Sequence, residues 1–201
     1  MVITLVIIGI TVGVSLMAFN NSRLLNDLIL WPPAIERSKQ YYRLVTYGFI
    51  HADFGHLFAN MFTLFFFGMQ MEKLYTRALG TFGFPLFYLA AIIVSILPTY
   101  LKNRHNANYR SLGASGAVSA VLFAFILLSP WSRIFVVFIP MPAIIYAVLY
   151  VMYSIYMERQ ANDNINHSAH LWGAAFGILF TIFIAPGVLP HFLEQIGRPR
   201  F

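Results

Sequence analysis

The chain has 201 residues, of which 59% are hydrophobic and 10% charged, and its mean hydropathy is +0.71. A soluble domain of this length carries about a quarter charged residues, so this one has too little polar surface to face water, and a soluble reading is excluded. Net charge is +6 and cysteine is absent, which excludes disulfides, iron–sulfur ligation and thiol catalysis. The basic residues fall between apolar runs, where anionic headgroups and topology account for them better than nucleic acid does.

Each crossing of a bilayer takes about 20 mostly apolar residues, and the composition suffices for about six. The first apolar run, 2–19, is expected to be a retained membrane helix, since no basic residue opens it and no small-residue cleavage site follows. Residues 20–55 mix Arg23, Asp27, Glu36, Arg37, Lys39, Arg43 and Asp53 with Trp31, Tyr41, Tyr42 and Phe49. Charge interleaved with aromatic rings suits a structured loop at headgroup level, and its length is too great for a passive connector.

Five further helices are expected at 56–72, 81–101, 115–129, 142–157 and 169–185. Pro140 and Pro142 divide the apolar stretch that begins at Ile134. Proline belongs in the first turn of a helix rather than its interior, so the fifth helix is placed from Pro142 and 134–139 is read as an apolar loop. Lys and Arg total eight in the loops after the first, third and fifth helices, and five in the other loops and the tail. A bare positive-inside count therefore places the termini outside.

Polar residues at membrane depth cost free energy unless they are paired or functional, and three groups of them stand out. Gly113-Ala114-Ser115-Gly116 opens the fourth helix. A helix over 115–129 is about 22 Å long against about 30 Å of hydrocarbon, which sinks Ser115 about 8 Å below one surface. There it lies beside unpaired backbone N–H groups and the positive end of the helix dipole, donors suited to a developing oxyanion. Ala169-His170-Leu171-Trp172-Gly173, with Gly177 beyond, puts His170 on a glycine face that a neighbouring helix can approach closely. A histidine so placed can take a proton from a serine hydroxyl and return it to a leaving amine. In the third group, His56 and Asn60 stand four residues apart on one helix face and offer two side-chain donors in one direction. Each group alone has an ordinary explanation in capping or helix packing. Together they are the parts of a serine hydrolase.

On these residues the chain resembles the rhomboid intramembrane serine proteases. Tyr41-Tyr42-Arg43-Leu44 followed by Phe49-Ile50-His51-Ala52 is similar to the aromatic–Arg and F-x-H-A segment of that family's first loop. Gly55-His56-Leu57 through Asn60-Met61 is similar to its GH-x-x-x-N-M helix, and Gly68 with Glu72 to that helix's G-x-x-x-E end. Gly113-Ala114-Ser115-Gly116 matches the nucleophile motif, Ile139-Pro140-Met141-Pro142-Ala143 the I-P-x-P-A entry to helix five, and Ala169-His170-Leu171-x-Gly173 the AH-x-x-G motif.

The resemblance implies an all-α membrane protein: a single rhomboid domain over 1–201, built as a six-transmembrane-helix bundle with a long structured first loop. It implies a catalytic dyad of Ser115 and His170 without an acidic third member. It also implies an oxyanion hole of the Ser115 backbone N–H with His56 and Asn60, and no cofactor or metal. Transmembrane proteins are the implied substrates, membrane lipids the other partners, and a cytoplasmic location of the termini replaces the one from the charge count. A bacterial inner membrane is expected, because the chain is a bare six-helix core.

Two residues depart from the family pattern. Ser119 stands four residues after Ser115, where the family usually has Tyr or Phe packed on the catalytic histidine, and Tyr42 stands for the commoner tryptophan before Arg43. Arg43 and Glu72 are read as structural. Two other classes are set against the protease. One is a non-catalytic rhomboid-like client-binding protein, although such relatives usually lack the serine or histidine kept here. The other is a metal-dependent membrane enzyme using His51, His56, His167 and His170, but no H-E-x-x-H motif or suitably spaced carboxylate accompanies these residues.

Overall fold

The structure, a computed structural model, describes residues 2–136, 139–160 and 165–199. Helix α1 (Val2–Phe19) buries a narrow stripe of Thr4, Ile7, Thr11, Ser15 and Ala18, while Leu5, Val6, Ile10, Leu16 and Met17 point outward. Small and polar residues inside with apolar residues outside invert the soluble pattern, as expected where lipid is the solvent. The Thr11 hydroxyl donates to the carbonyl of Ile7 one turn back (2.8 Å), so the inward hydroxyl is satisfied within the helix.

The segment after α1 folds into short helices. These are α2 (Ser22–Leu28), capped by the Asn21 side chain, α3 (Pro32–Ser38), opened by proline, and α4 (Arg43–Thr46), which runs into a 3-10 turn over Tyr47–Phe49. Lys39 ends α3 in the left-handed region, at φ 56°. Arg43, buried despite its charge, ties the segment together. Its Nη1 donates to the carbonyls of Asn26 (2.7 Å) and Ile29 (2.8 Å), and its Nε to Gln40 Oε1 (2.6 Å). A guanidinium with three of its five N–H donors bonded in this way tolerates burial.

Asp53 caps α5 (Phe54–Thr63), which continues through a π turn over Leu64–Gly68 into α6 (Met69–Leu79). The backbone stays helical across both junctions, so these pieces form one rod with a local bulge. Glu72 on α6 accepts from the Ile3 N–H (3.2 Å), the Thr4 N–H (2.9 Å) and the Thr4 hydroxyl (2.7 Å), which pins the start of α1.

Helix α7 (Gly83–Asn103) contains Pro98, and α8 (Ser115–Leu128) follows after a connecting stretch. The stretch read as an apolar loop is instead one side of a hairpin, β1 (Arg133–Val136) paired antiparallel with β2 (Ile139–Pro142); residues 137 and 138 lie outside the described residues. Helix α9 (Ala143–Gln160), α10 (His167–Ile184) and a short α11 (Val188–Ile196) complete the chain.

The protein is mostly helical, and α1, α7 and α10 are long and apolar enough to cross a membrane. Helix α8 is apolar but shorter, and it is the hub: every residue from Gly116 to Leu127 is buried. It packs chiefly on α10 and α7, with the π turn and α11 closing other sides.

Candidate active site

The connection from α7 to α8 is held by the segment between α1 and α5. Leu30 and Ser111 exchange backbone hydrogen bonds (3.0 and 3.2 Å), the Gly113 N–H donates to the Tyr47 carbonyl (2.9 Å), and the Trp31 indole donates to the Ala107 carbonyl (3.0 Å). The Ala114 N–H faces His51 Nε2 at 3.4 Å, and His51 Nδ1 lies 3.0 Å from the Ser15 hydroxyl, which also reaches the Phe49 carbonyl (3.1 Å). One neutral tautomer satisfies the set: Nδ1–H donates to Ser15, Ser15 donates to Phe49, and Nε2 accepts from Ala114. Burial first, and then the charge of the neighbouring His56, push the His51 pKa down to about 3, which keeps that neutral form across physiological pH.

Gly113 then turns the chain into α8 at φ +112°, a conformation side chains rarely adopt. The space a side chain would need at this glycine is taken by the imidazole of His56. The turn therefore sets Ser115 at the first position of α8, with His56 of α5 lying against Gly113.

His170 arrives from α10. Asn166 caps that helix, its Oδ1 accepting from the Ala169 N–H (3.0 Å) and the Thr99 hydroxyl (3.2 Å) while its Nδ2 faces the Tyr109 hydroxyl (3.1 Å) and Ser111 Oγ (3.4 Å). Further along, a Cβ at Gly173 or Gly177 would overlap the backbone of Gly116 or Ala120 on α8, and a Cβ at Gly116 would overlap Ser95. The helices meet backbone to backbone, and His170 Nε2 lies 2.8 Å from Ser115 Oγ. That is hydrogen-bond distance between a hydroxyl and an imidazole able to take its proton.

Both groups open on a cavity of about 1090 Å³ whose lining includes His56, Asn60, Ser119 and Tyr150. Asn60 is buried, and its Nδ2 donates to the His56 carbonyl (2.9 Å), which spends one amide proton and fixes the amide plane. All four sequence-derived site residues thus line one cavity. The histidines considered as metal ligands form two separate pairs, His51 with His56 (ring centroids 4.9 Å apart) and His167 with His170 (5.7 Å). Among the described residues no group of three or more His, Cys, Asp or Glu is placed to hold a metal ion.

Sequence reasoning missed three contributors. Tyr150 of α9 lies beside His170, and the only hint of it is the absent ring at Ser119. The Asn166 cap looks like any polar residue before a helix. His51 shows as part of a motif and as a candidate metal ligand, and its bond to Ala114 spans too great a sequence distance to be read from spacing.

The Rhomboid domain family model matches residues 38–187, which include every residue of the cavity named above. RHOMBOID-like protein 12, mitochondrial, of Arabidopsis thaliana is 32% identical over 188 residues, covering 87% of this chain and 55% of that protein. Rhomboid-like protein 11, chloroplastic, of the same plant is 32% identical over 155 residues, covering 69% and 51%. The human Presenilin-associated rhomboid-like protein, mitochondrial, is 30% identical over 141 residues, covering 67% and 36%. The chain spans about half the length of the two plant relatives. With a family model matched across most of its length and relatives at this identity, the chain belongs to the rhomboid family.

Proposed function

We propose that this rhomboid protein is an intramembrane serine endopeptidase that cleaves transmembrane-segment proteins with a Ser115–His170 dyad. The observation that carries the proposal is the 2.8 Å separation of Ser115 Oγ and His170 Nε2 at the mouth of a helix N-terminus that opens on a cavity. The proposed domain is a single membrane unit over 1–201. Its six crossings are α1, the α5–α6 rod, α7, α8, α9 and α10, with the structured segment 20–55 at one surface and the termini on the cytoplasmic side. Its partners are transmembrane substrates and membrane lipids, and it needs no cofactor. The expected bacterial inner membrane gains no support from relatives named as mitochondrial and chloroplastic.

In this mechanism Ser115 Oγ attacks the scissile carbonyl carbon while its proton passes to His170 Nε2. The carbonyl oxygen becomes an oxyanion facing the Ser115 backbone N–H, a ring N–H of His56 and an amide N–H of Asn60. Collapse breaks the C–N bond, the leaving amine takes the proton from His170, and an acyl ester remains on Ser115. Water then attacks that ester, giving one proton to His170, which returns it to Ser115 Oγ as the carboxyl product leaves. The substrate must be extended at the bond that breaks. That costs it helical hydrogen bonds in lipid, so small and helix-breaking residues are favoured there.

The test is cleavage of model transmembrane substrates, alongside labelling by a fluorophosphonate probe. Wild type is expected to cleave and to label at Ser115, and Ser115→Ala to do neither while folding normally. Asn60→Ala is expected to retain activity about 10²–10³-fold reduced, the typical cost of one oxyanion donor. Cleavage by Ser115→Ala at the wild-type rate would overturn the mechanism. A folded wild type that takes no label would favour a client-binding protein instead.

A further inference from the structure

The ring of Tyr150 lies nearly parallel to that of His170, at 24° with centroids 6.0 Å apart. Its hydroxyl is 2.6 Å from Ser119 Oγ, and Ser119 is 4% exposed. Ser119 follows Ser115 by four residues, so both hydroxyls stand on one face of α8, one turn apart. Two more rings bracket Tyr150: Phe123 of α8 at 5.5 Å and Tyr146 of α9 at 5.6 Å. Tyr150 is thus held at its tip by a hydrogen bond and flanked by two aromatic rings, with its own ring nearly parallel to the imidazole.

We propose that Tyr150 is a positioning residue for His170, and that Ser119 is the anchor that holds Tyr150 in place. The inference rests on the serine hydrolase reading above. A hydrogen bond from one nitrogen to Ser115 fixes a distance but does not by itself set the tilt of the imidazole plane. A flat neighbour limits that tilt and keeps Nε2 aimed at Oγ, and offset stacking is a favoured arrangement for such rings. A short side chain at position 119 leaves room for a ring from α9. The hydroxyl at that position gives the ring a fixed end, which Ala or Gly would not. The pair Ser119 and Tyr150 therefore acts as one unit built from two helices.

Orientation of a general base affects turnover far more than substrate affinity, since a misplacement of about 1 Å can cost about 10²-fold. Tyr150→Leu, which fills space without a flat face, is expected to lower kcat by about 10- to 100-fold with KM changed less than about twofold. Tyr150→Phe keeps the ring and loses its tether, so a drop of about fivefold is expected, the worth of one hydrogen bond. Ser119→Ala should match Tyr150→Phe, and the two changes together should cost no more than either alone.

The readout that a merely structural role would not move is rescue. Ser119→Tyr in the Tyr150→Ala background places a ring from α8 into the vacated space and is expected to recover at least tenfold of the kcat lost in Tyr150→Ala. The variants are measured as purified full-length protein in lipid, with thermal unfolding as the folding control. Full kcat in folded Tyr150→Leu would overturn the inference, and so would a folded double variant no better than Tyr150→Ala. Failure of the hydrolase reading is distinct, because it appears in wild type itself, either as no cleavage and no label or as cleavage that does not depend on Ser115.

Discussion

Helices α8 and α9 both contribute to the cavity, yet they are built in opposite ways. Helix α8 is buried from Gly116 to Leu127, and the glycines of α10 bring a second backbone against it. Helix α9 buries only Ala143, Ala147 and Ser154 and leaves Val148, Leu149, Met152, Tyr153 and Tyr156 exposed. Hydrophobic residues on α8 pack against protein, whereas much of the apolar side of α9 faces outward. The lesson is that hydropathy alone does not rank importance in this chain: α8 and α9 are both apolar, and only packing separates them. The serine and the histidine lie on the close-packed seam. The ring beside the histidine comes from the sparsely packed helix.

The sharpest way to break this contrast is to add volume on the seam. Gly177→Val forces a branched side chain into the Ala120 backbone and is expected to destabilise by about 3 kcal/mol or more, with loss of activity. Unfolding of the purified variant in detergent checks it, and an unchanged transition would show the seam to be slack.

A second measurement asks whether the seam's serine end depends on the first loop. The His51 pKa is held near 3 in the folded protein against 6.5 for the unperturbed group. Between those values the unfolded chain binds a proton that the folded chain does not. Stability therefore falls as pH drops from 6.5 toward 3, by about 1.4 kcal/mol per pH unit at full slope, and this group contributes no pH dependence above that window. His51→Gln is expected to flatten the difference between unfolding at pH 7.5 and pH 5. The smallest effect belongs to the outer face of α9, where Leu149→Ala is expected to change stability by no more than about 0.5 kcal/mol. A cost of 2 kcal/mol there would mean that α9 is packed as tightly as α8.

The comparison also explains what could be read in advance. Helix α1 runs over Val2–Phe19, the span of the first apolar run, because a lipid-facing helix announces itself by composition. Glycines at 173 and 177 make it legible that a neighbouring helix comes close to His170, while the pairing with Ser115 rests on the resemblance of the two motifs to the family pattern. Less was visible where structure depends on distant partners. The π turn over Leu64–Gly68 adds a residue to a turn without any compositional mark. The strand pair β1 and β2 carries prolines that argue against a strand interior, and it exists as an edge pairing where they are tolerated. Helix α11 follows Pro186–Gly187, which reads as an ending. Tyr150 is one of four tyrosines on α9 (with Tyr146, Tyr153 and Tyr156), and nothing in their spacing distinguishes the one beside His170.

The bonds that join Leu30 to Ser111, Tyr47 to Gly113, Trp31 to Ala107 and His51 to Ala114 tie the segment between α1 and α5 into a strap across the start of α8. These bonds lie outside the long helices, and local openings of this kind cost less free energy than global unfolding. Heating should therefore release the strap before the bundle melts, leaving a protein with full helical ellipticity whose serine no longer sits opposite its histidine. Heat inactivation of the proposed protease is then expected to be a local event at the start of α8, with a midpoint several degrees below the loss of helix.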